Sequence, residues 1–242
     1  MYRVPRSSPP PKERPYVSLK LAMSMDGRIA ARTGASKWIT GPAARAKVHR
    51  IRAANDGCAV GIGTALADDP QLTVRDAPGE SPIRIVFDTR LRLPLTSHLA
   101  RHARELPTLV FCGPDASEAA AEALAARAVE CVRVPLSPEG HLDVRVALRR
   151  LAERGMATLM VEGGASLAGS LLAARLVDEL HVFIAPMLLG PRARAAAVDW
   201  GGPDSPATAP RIGVPSWEIV GPDAYVHGAI VYPENAAPPP FA

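Results

Sequence analysis

ATLMVEGGASLAGSLL, residues 157–172, is the stretch on which the fold turns. Thr158 to Val161 is a short, mostly apolar run of the kind that forms a buried strand. Glu162 follows, then Gly163 and Gly164, and then apolar residues return at helical spacing. Leu167, Leu171 and Leu172 stand at i, i+4 and i+5 and share one side of a helix. The segment reads as strand, tight glycine turn, helix. Two glycines let the backbone approach a ligand where a Cβ would clash. The first N–H groups of the helix have no intrahelical partner and point into the gap, which makes an anion site. The expectation is a phosphate or pyrophosphate held there, with Glu162 beside it. An ordinary strand-to-helix turn with glycines for packing fits the same residues.

On either side of this unit the same alternation recurs. Cys58 to Ile62, Ile83 to Phe87, Thr108 to Phe111, Val132 to Leu136 and Asp178 to Ala185 read as strands. Helices are expected from Thr40, as N-cap, to about Asn55, from Asp115 to about Val129, and from Asp143 to about Arg154. Tyr16 to Met25 alternates, with Val17, Leu19 and Leu21 on one face and Ser18, Lys20 and Ala22 on the other. It reads as a strand with one polar face, and Lys20 as either a solvated edge residue or a functional one. Pro186 to Pro215, rich in Gly, Pro and Ala, reads as a long excursion. Ser216 to Val220 and Tyr225 to Tyr232 lie close enough to form an antiparallel hairpin. Strands alternating with helices make an α/β fold: a predominantly parallel sheet with helices on both faces and a C-terminal antiparallel hairpin. A single domain is expected over residues 16–234. A proline-rich, disordered arm precedes it at 1–15 and a flexible tail follows at 235–242.

Composition narrows the function. The chain has 242 residues, enough for a sizeable core, and 48% of them are apolar. The net charge of +4 is spread without long like-charge runs, which suits an anionic small molecule as well as nucleic acid. An aromatic fraction of 5% argues against a base-stacking surface, so no nucleic-acid partner is expected. Cys58, Cys112 and Cys131 lie far apart and form neither a disulfide framework nor a zinc pattern; Cys58 and Cys112 read as plain core residues. With no apolar signal core and no run of 18 apolar residues, a cytoplasmic protein without a membrane partner is expected.

Ligands of open α/β sheets bind beyond the carboxyl ends of the strands. There the sequence places Gly63, Thr64 and Asp68, then Asp88, Thr89 and Arg90, then Glu162, Gly163 and Gly164. Gly61-Ile-Gly63 starts a dinucleotide fingerprint, but Leu66 stands at its third glycine position, so it is incomplete. Arg45, His49 and Arg52 line one helix face and could grip a phosphate, or could simply be solvated. The set has phosphate-binding backbone, carboxylates and arginines. It has no metal cluster, no G-x-S-x-G elbow and no Walker A lysine. Hydride transfer needs no protein nucleophile, and the sequence permits it.

LKLAMSMDGRIA, GASKWIT, HRIRAANDGCAVGIGTALADDPQLTVR, IRIVFDTRLRLP, LMVEGGASLAGSLL and LVDELHVFIAPMLLG occur in this order. Together they resemble the reductase domain of the bifunctional riboflavin-biosynthesis deaminase–reductase, from about Tyr16 to Tyr232. The resemblance implies a dihydrofolate-reductase-like fold and a homodimer. It also implies NADPH-dependent reduction of the ribose of 5-amino-6-(5-phosphoribosylamino)uracil, or of its diaminopyrimidinone equivalent, to a ribityl chain. By the same resemblance Ala22, Trp38, Thr64, Asp68, Thr89 and the turn of Gly164, Ala165, Ser166, Leu167, Ala168, Gly169 and Ser170 contact the coenzyme. Ser36, Arg52, Leu72, Arg75 and Glu162 contact the substrate, and Lys20 faces it. Lys20 and Glu162 are the expected catalytic pair. Arg52 and Arg75 are expected to clamp the substrate phosphate, and Thr89, Arg90 and Arg92 to select the coenzyme's 2′-phosphate. The deaminase motifs H-x-E and P-C-x-x-C do not occur in these residues. A separate deaminase, or a stand-alone paralogue acting on another pterin or pyrimidine, is then expected. A silent nucleotide-binding module is the alternative of another class.

Overall fold

The computed structural model describes residue 11 and residues 13–233 apart from 194. In chain order the elements are β1 (Tyr16–Ser24), β2 (Arg28–Ala30), α1 (Pro42–Ala53), β3 (Gly57–Gly61), α2 (Ile62–Asp68), β4 (Ile83–Phe87), α3 (His98–Arg101) and β5 (Thr108–Cys112). They continue with α4 (Glu118–Ala125), β6 (Val129–Arg133), α5 (Val144–Glu153), β7 (Thr158–Gly163), α6 (Ala165–Ala173) and β8 (Glu179–Ala185). The chain closes with β9 (Ala195–Ala196), a 3₁₀ turn at Pro206–Thr208, β10 (Arg211–Ile212), β11 (Ser216–Val220) and β12 (Asp223–Val231).

The main sheet runs β10-β12-β8-β1-β7-β3-β4-β5-β6, with β11 paired to β12. From β8 across to β6 every pairing is parallel. At the other end β12 runs antiparallel to β8, β11 and β10, so the expected C-terminal hairpin is present and mixes the sheet. This is the dihydrofolate-reductase-like arrangement. Parallel strands are covered on both faces because their crossovers are helices. Val17, Leu19, Ile85 and Phe111 turn to one face, where α5 and α6 bury Leu148, Leu151, Leu167 and Leu171. Cys58, Val60, Val86 and Val110 turn to the other, under α2, α3 and α4. α1 covers the β7–β8–β12 end of that second face through Ala44, Val48 and Ile51.

Several boundaries differ from the sequence expectation, each for a local reason. Gly41 rather than Thr40 is the N-cap of α1, and its N–H donates to Asp223 Oδ2 at 2.7 Å, a partner 182 residues away. α4 starts later, where Ser117 Oγ accepts from the Ala120 N–H. Left-handed Ala128, at φ 66°, then ends the helical turn and starts β6 three residues before Val132. Asp143 caps α5 as expected, accepting from the N–H groups of Arg145 and Val146. β2 and α3 were not signalled. Lys20 does not sit on an edge: β1 lies between β7 and β8. The expected tail at 235–242 lies outside the described residues, as does most of the 1–15 arm. Arg14 of that arm is described, and is docked on Asp178 through two hydrogen bonds at 2.6 and 2.8 Å.

Candidate active site

The carboxyl ends of β1, β3, β4 and β7 open into one cavity of about 1130 Å³. β1 contributes Lys20 and Ala22, and β3 leads into Gly63, Thr64 and Asp68 of α2. Thr89 follows β4. Glu162 ends β7, and the start of α6 follows it. The far wall is made by Ser36 and Trp38, by Arg52 of α1, and by Leu72 and Arg75 of the following loop.

The central chemical unit is a buried charge cluster. Arg52 meets Glu162 fork to fork, Nε to Oε1 at 2.6 Å and Nη2 to Oε2 at 2.8 Å. Its remaining Nη1 donates to the Thr73 carbonyl. The Cys58 thiol donates to Glu162 Oε1 at 3.0 Å. Burial pushes the Glu162 pKa upward, but the charge and hydrogen bonds of Arg52 outweigh it and hold the carboxyl down at about 2. Burial beside this pair lowers the Lys20 pKa below 10.5, and the Glu162 charge opposes that shift. Burial raises the Cys58 thiol well above its ordinary value, so it stays a protonated donor. Lys20 makes no hydrogen bond or ion pair among the described residues and keeps its ammonium protons for the cavity.

The second unit is the glycine wall. Gly164 takes φ +99° and caps α6 without a side chain. A Cβ there would lie 3.2 Å from the Gly61 backbone, and one on Gly163 3.2 Å from Thr64 Oγ1. The N-terminus of α6 therefore faces the cavity unobstructed, as an anion site requires. A dinucleotide pyrophosphate fits this cradle.

Most sequence-expected residues line the cavity: Lys20, Ala22, Ser36, Trp38, Arg52, Thr64, Asp68, Leu72, Arg75, Thr89, Glu162, Gly164, Ala165, Ser166, Leu167 and Ser170. Three do not. Helical periodicity turns Ala168 into the core, 1% exposed, and packs Gly169 against the Asp199 carbonyl. Arg90 points to solvent outside the cavity, whereas Arg92 lines it. Asp88 is fully buried and accepts the Leu93 N–H, so its carboxylate folds the loop instead of facing a ribose. Arg52 and Arg75, the two arginines of the expected clamp, both line the cavity, and the Arg52 fork pairs with Glu162. Arg75 is braced through Nη1 by Gln71 and Thr73. His49 also borders the cavity, buried with Nδ1 beside the Thr73 carbonyl and the Arg75 N–H. The Cys58–Glu162 and Ser36–Asp68 hydrogen bonds were missed, the latter 2.7 Å long. No local pattern announces either, because the partners are 104 and 32 residues apart.

A family model described as the RibD C-terminal domain matches residues 15–226. The chain is 39% identical over 216 residues to the 2,5-diamino-6-ribosylamino-4(3H)-pyrimidinone 5′-phosphate reductase of Methanothermobacter thermautotrophicus, covering 88% of this chain and 97% of that protein. It is 38% identical over 228 residues to the riboflavin biosynthesis protein RibD of Escherichia coli, covering 88% of this chain and 59% of that one. The chain thus spans little more than half the length of the curated RibD proteins it matches. Among solved structures, RibD of Acinetobacter baumannii superposes with a TM-score of 0.75 at 31% identity, over 90% of this chain and 59% of that chain.

Proposed function

The chain belongs to the RibD C-terminal domain family, and on that footing we propose that it is an NADPH-dependent reductase of a phosphoribosylaminopyrimidine, converting the ribosyl group to a ribityl chain. The substrate is 2,5-diamino-6-ribosylamino-4(3H)-pyrimidinone 5′-phosphate or its deaminated uracil equivalent. One observation carries the reading: a charged Lys20, Glu162 and Arg52 cluster lines the same cavity as the bare N-terminus of α6.

NADPH would lie along the α6 N-terminus, with Thr64 and Asp68 beside it and Thr89 and Arg92 toward its 2′-phosphate. Once bound, it supplies the hydride for the first carbon of the opened ribose. That carbon carries a C=O or C=N group, and the attached heteroatom must gain a proton as the hydride arrives. Lys20 holds free ammonium protons at the cavity wall and is the donor on this reading. A positioned acid of this kind is worth roughly 10²–10⁴-fold in rate. Glu162 accepts from the sugar or base and opposes the burial that lowers the Lys20 pKa, and Arg52 fixes Glu162. Arg75 binds the phosphate remote from the reacting carbon.

The family context makes a nicotinamide coenzyme the premise, and NADPH over NADH the specific claim. A homodimer is part of the proposal: β11 leaves Trp217 and Ile219 65% and 75% exposed at the sheet end, an apolar edge suited to cover. Its three cysteines are unpaired, which fits the cytoplasm. No helix among the described residues is long and apolar enough to cross a membrane. The test is to mix the protein with NADPH and each pyrimidine in turn and follow nicotinamide absorbance. Consumption with one of them establishes reaction and substrate. Binding of NADPH with no consumption on either would leave a paralogue or a silent module in its place.

A further inference from the structure

Outside the cavity, three potential ligands converge at the junction of β8 and β12. Glu179 and His181 lie two residues apart on β8, and His227 faces His181 in register on β12. One donor atom from each lies within 4.8 Å of the others. The two carboxylate oxygens of Glu179 are each 3.6 Å from a ring nitrogen, Oε2 from His181 Nε2 and Oε1 from His227 Nδ1. None of the three residues lines the cavity.

These separations are too long for hydrogen bonds, which need about 2.7–3.2 Å. A simple buried carboxylate–imidazolium pair would close to that distance. His227 Nδ1 is instead buried with no hydrogen-bond partner among the described residues, an arrangement that costs stability unless something fills the gap. Donors about 2.0–2.2 Å from a tetrahedral metal ion stand about 3.4 Å from each other, close to the two carboxylate–imidazole separations, and the three donor atoms together lie within 4.8 Å. The shell behind them is also built. His181 Nδ1 is 2.7 Å from Tyr225 Oη, and a bond there fixes the ring with Nε2 toward the gap. The two imidazoles are held parallel, centroids 5.6 Å apart and 11° between planes. His227 is 27% exposed and gives an entry path. Lys47 stands over the Tyr225 ring at 4.5 Å, and its charge is paired with Glu218.

We infer that Glu179, His181 and His227 form a site for one divalent transition-metal ion, with Zn²⁺ as its natural type, that staples β12 to β8. Two imidazoles and a carboxylate are the donor set such ions take, with a fourth position left to water.

The experiment titrates chelator-treated protein with Zn²⁺ by calorimetry and repeats it with Co²⁺ followed by visible absorption. One equivalent is expected to bind saturably, with imidazole-ligated Co²⁺ bands and a rise in Tm. His227→Ala, at the more exposed ligand, should weaken binding at least tenfold, and His181→Ala likewise. Tyr225→Phe should weaken it about tenfold or more through loss of the ring anchor. Should His181→Ala fail to fold, His227→Ala decides alone, with circular dichroism confirming its fold. The half-buried His98 and the exposed His102, stacked 6.0 Å apart, are the competing adventitious site. The double variant His98→Ala/His102→Ala should bind as the parent does. Absence of stoichiometric binding, binding unchanged by His227→Ala, or binding abolished by the His98/His102 double change would overturn the site.

Discussion

Glu162 carries its charge inside the protein only because Arg52 meets it. Their side chains are 10% and 8% exposed, so removing one partner strands the other in a low dielectric. Arg52→Ala should therefore cost about 3–5 kcal/mol in urea unfolding, more than truncation of a surface arginine. The sign with pH follows from the depressed carboxyl. With a folded pKa of about 2 against an ordinary 4.5, Glu162 contributes stability that is complete above 4.5 and lost as pH falls toward 2. The acid limb of a stability–pH curve should flatten in Glu162→Gln. Lys20 behaves oppositely. Burial lowers its pKa below 10.5, so the charged donor is lost on the alkaline side earlier than in a free lysine. Turnover should fall as pH rises through that lowered pKa, and Lys20→Met should lose roughly 10²–10⁴-fold while remaining folded. Arg75→Ala should lower kcat/KM about ten- to 150-fold for the phosphorylated substrate and little for a dephosphorylated analogue. Equal loss on both would assign Arg75 to the fold instead. Glu162 stood out in the sequence beside the glycine turn, whereas Lys20 and Arg75 were assigned to the site only by the family resemblance; the structure lines one cavity with all three. The pairing of Arg52 with Glu162 was not legible, since it joins side chains 110 residues apart and depends on rotamers that no local pattern records.

At the scale of elements, the start of α6 joins sequence to ligand most directly. Gly164→Ala would force a Cβ toward the Gly61 backbone at a φ of +99°. A cost of about 1–3 kcal/mol is expected for the strained backbone, with NADPH affinity falling in an equilibrium titration while Ser166→Ala changes it less. The loop after β4 offers a second comparison. Arg92→Ala should reduce the preference for NADPH over NADH, and Arg90→Ala should leave it unchanged, because only Arg92 reaches the cavity. The sequence marked α5 well, through its Asp143 cap, and the strand–glycine–helix unit around Gly164. It misplaced α4 and β6 because alanine-rich helix formers continue past the last residue that packs. α4 ends at Ala125, and the turn that leads from it into β6 closes at Ala128 with φ 66°, a conformation no alanine signals. In α6 the motif looked like one continuous ligand turn. Its 3.6-residue period instead sends Ala168 and Gly169 to the core.

For the whole molecule, the parallel class and the closing hairpin could be read from the order of elements. The strand order could not, because nothing local tells β1 that its neighbours are β7 and β8. The cavity is built from β1, β3, β4, β7 and the helices α1, α2 and α6, so bound coenzyme should stabilise the entire fold. NADPH at 100 times its Kd adds about 2.7 kcal/mol, which for a chain of this size is a Tm rise of roughly 5–10 °C. A calorimetric scan with and without NADPH checks this, and NADH should give a smaller rise. The position of β1 also bears on how the protein comes off the ribosome. Its strand is made first, yet both neighbours in the sheet lie beyond Ala157. At roughly 5–20 residues per second of synthesis, β1 emerges some 8–30 s before Ala185 completes its second partner. During that wait its apolar face is open to chaperones and to strand edges on neighbouring nascent chains. Ribosome-stalled chains ending at Gly155 should be digested by protease at Tyr16–Ser24, whereas chains released after Val231 should resist.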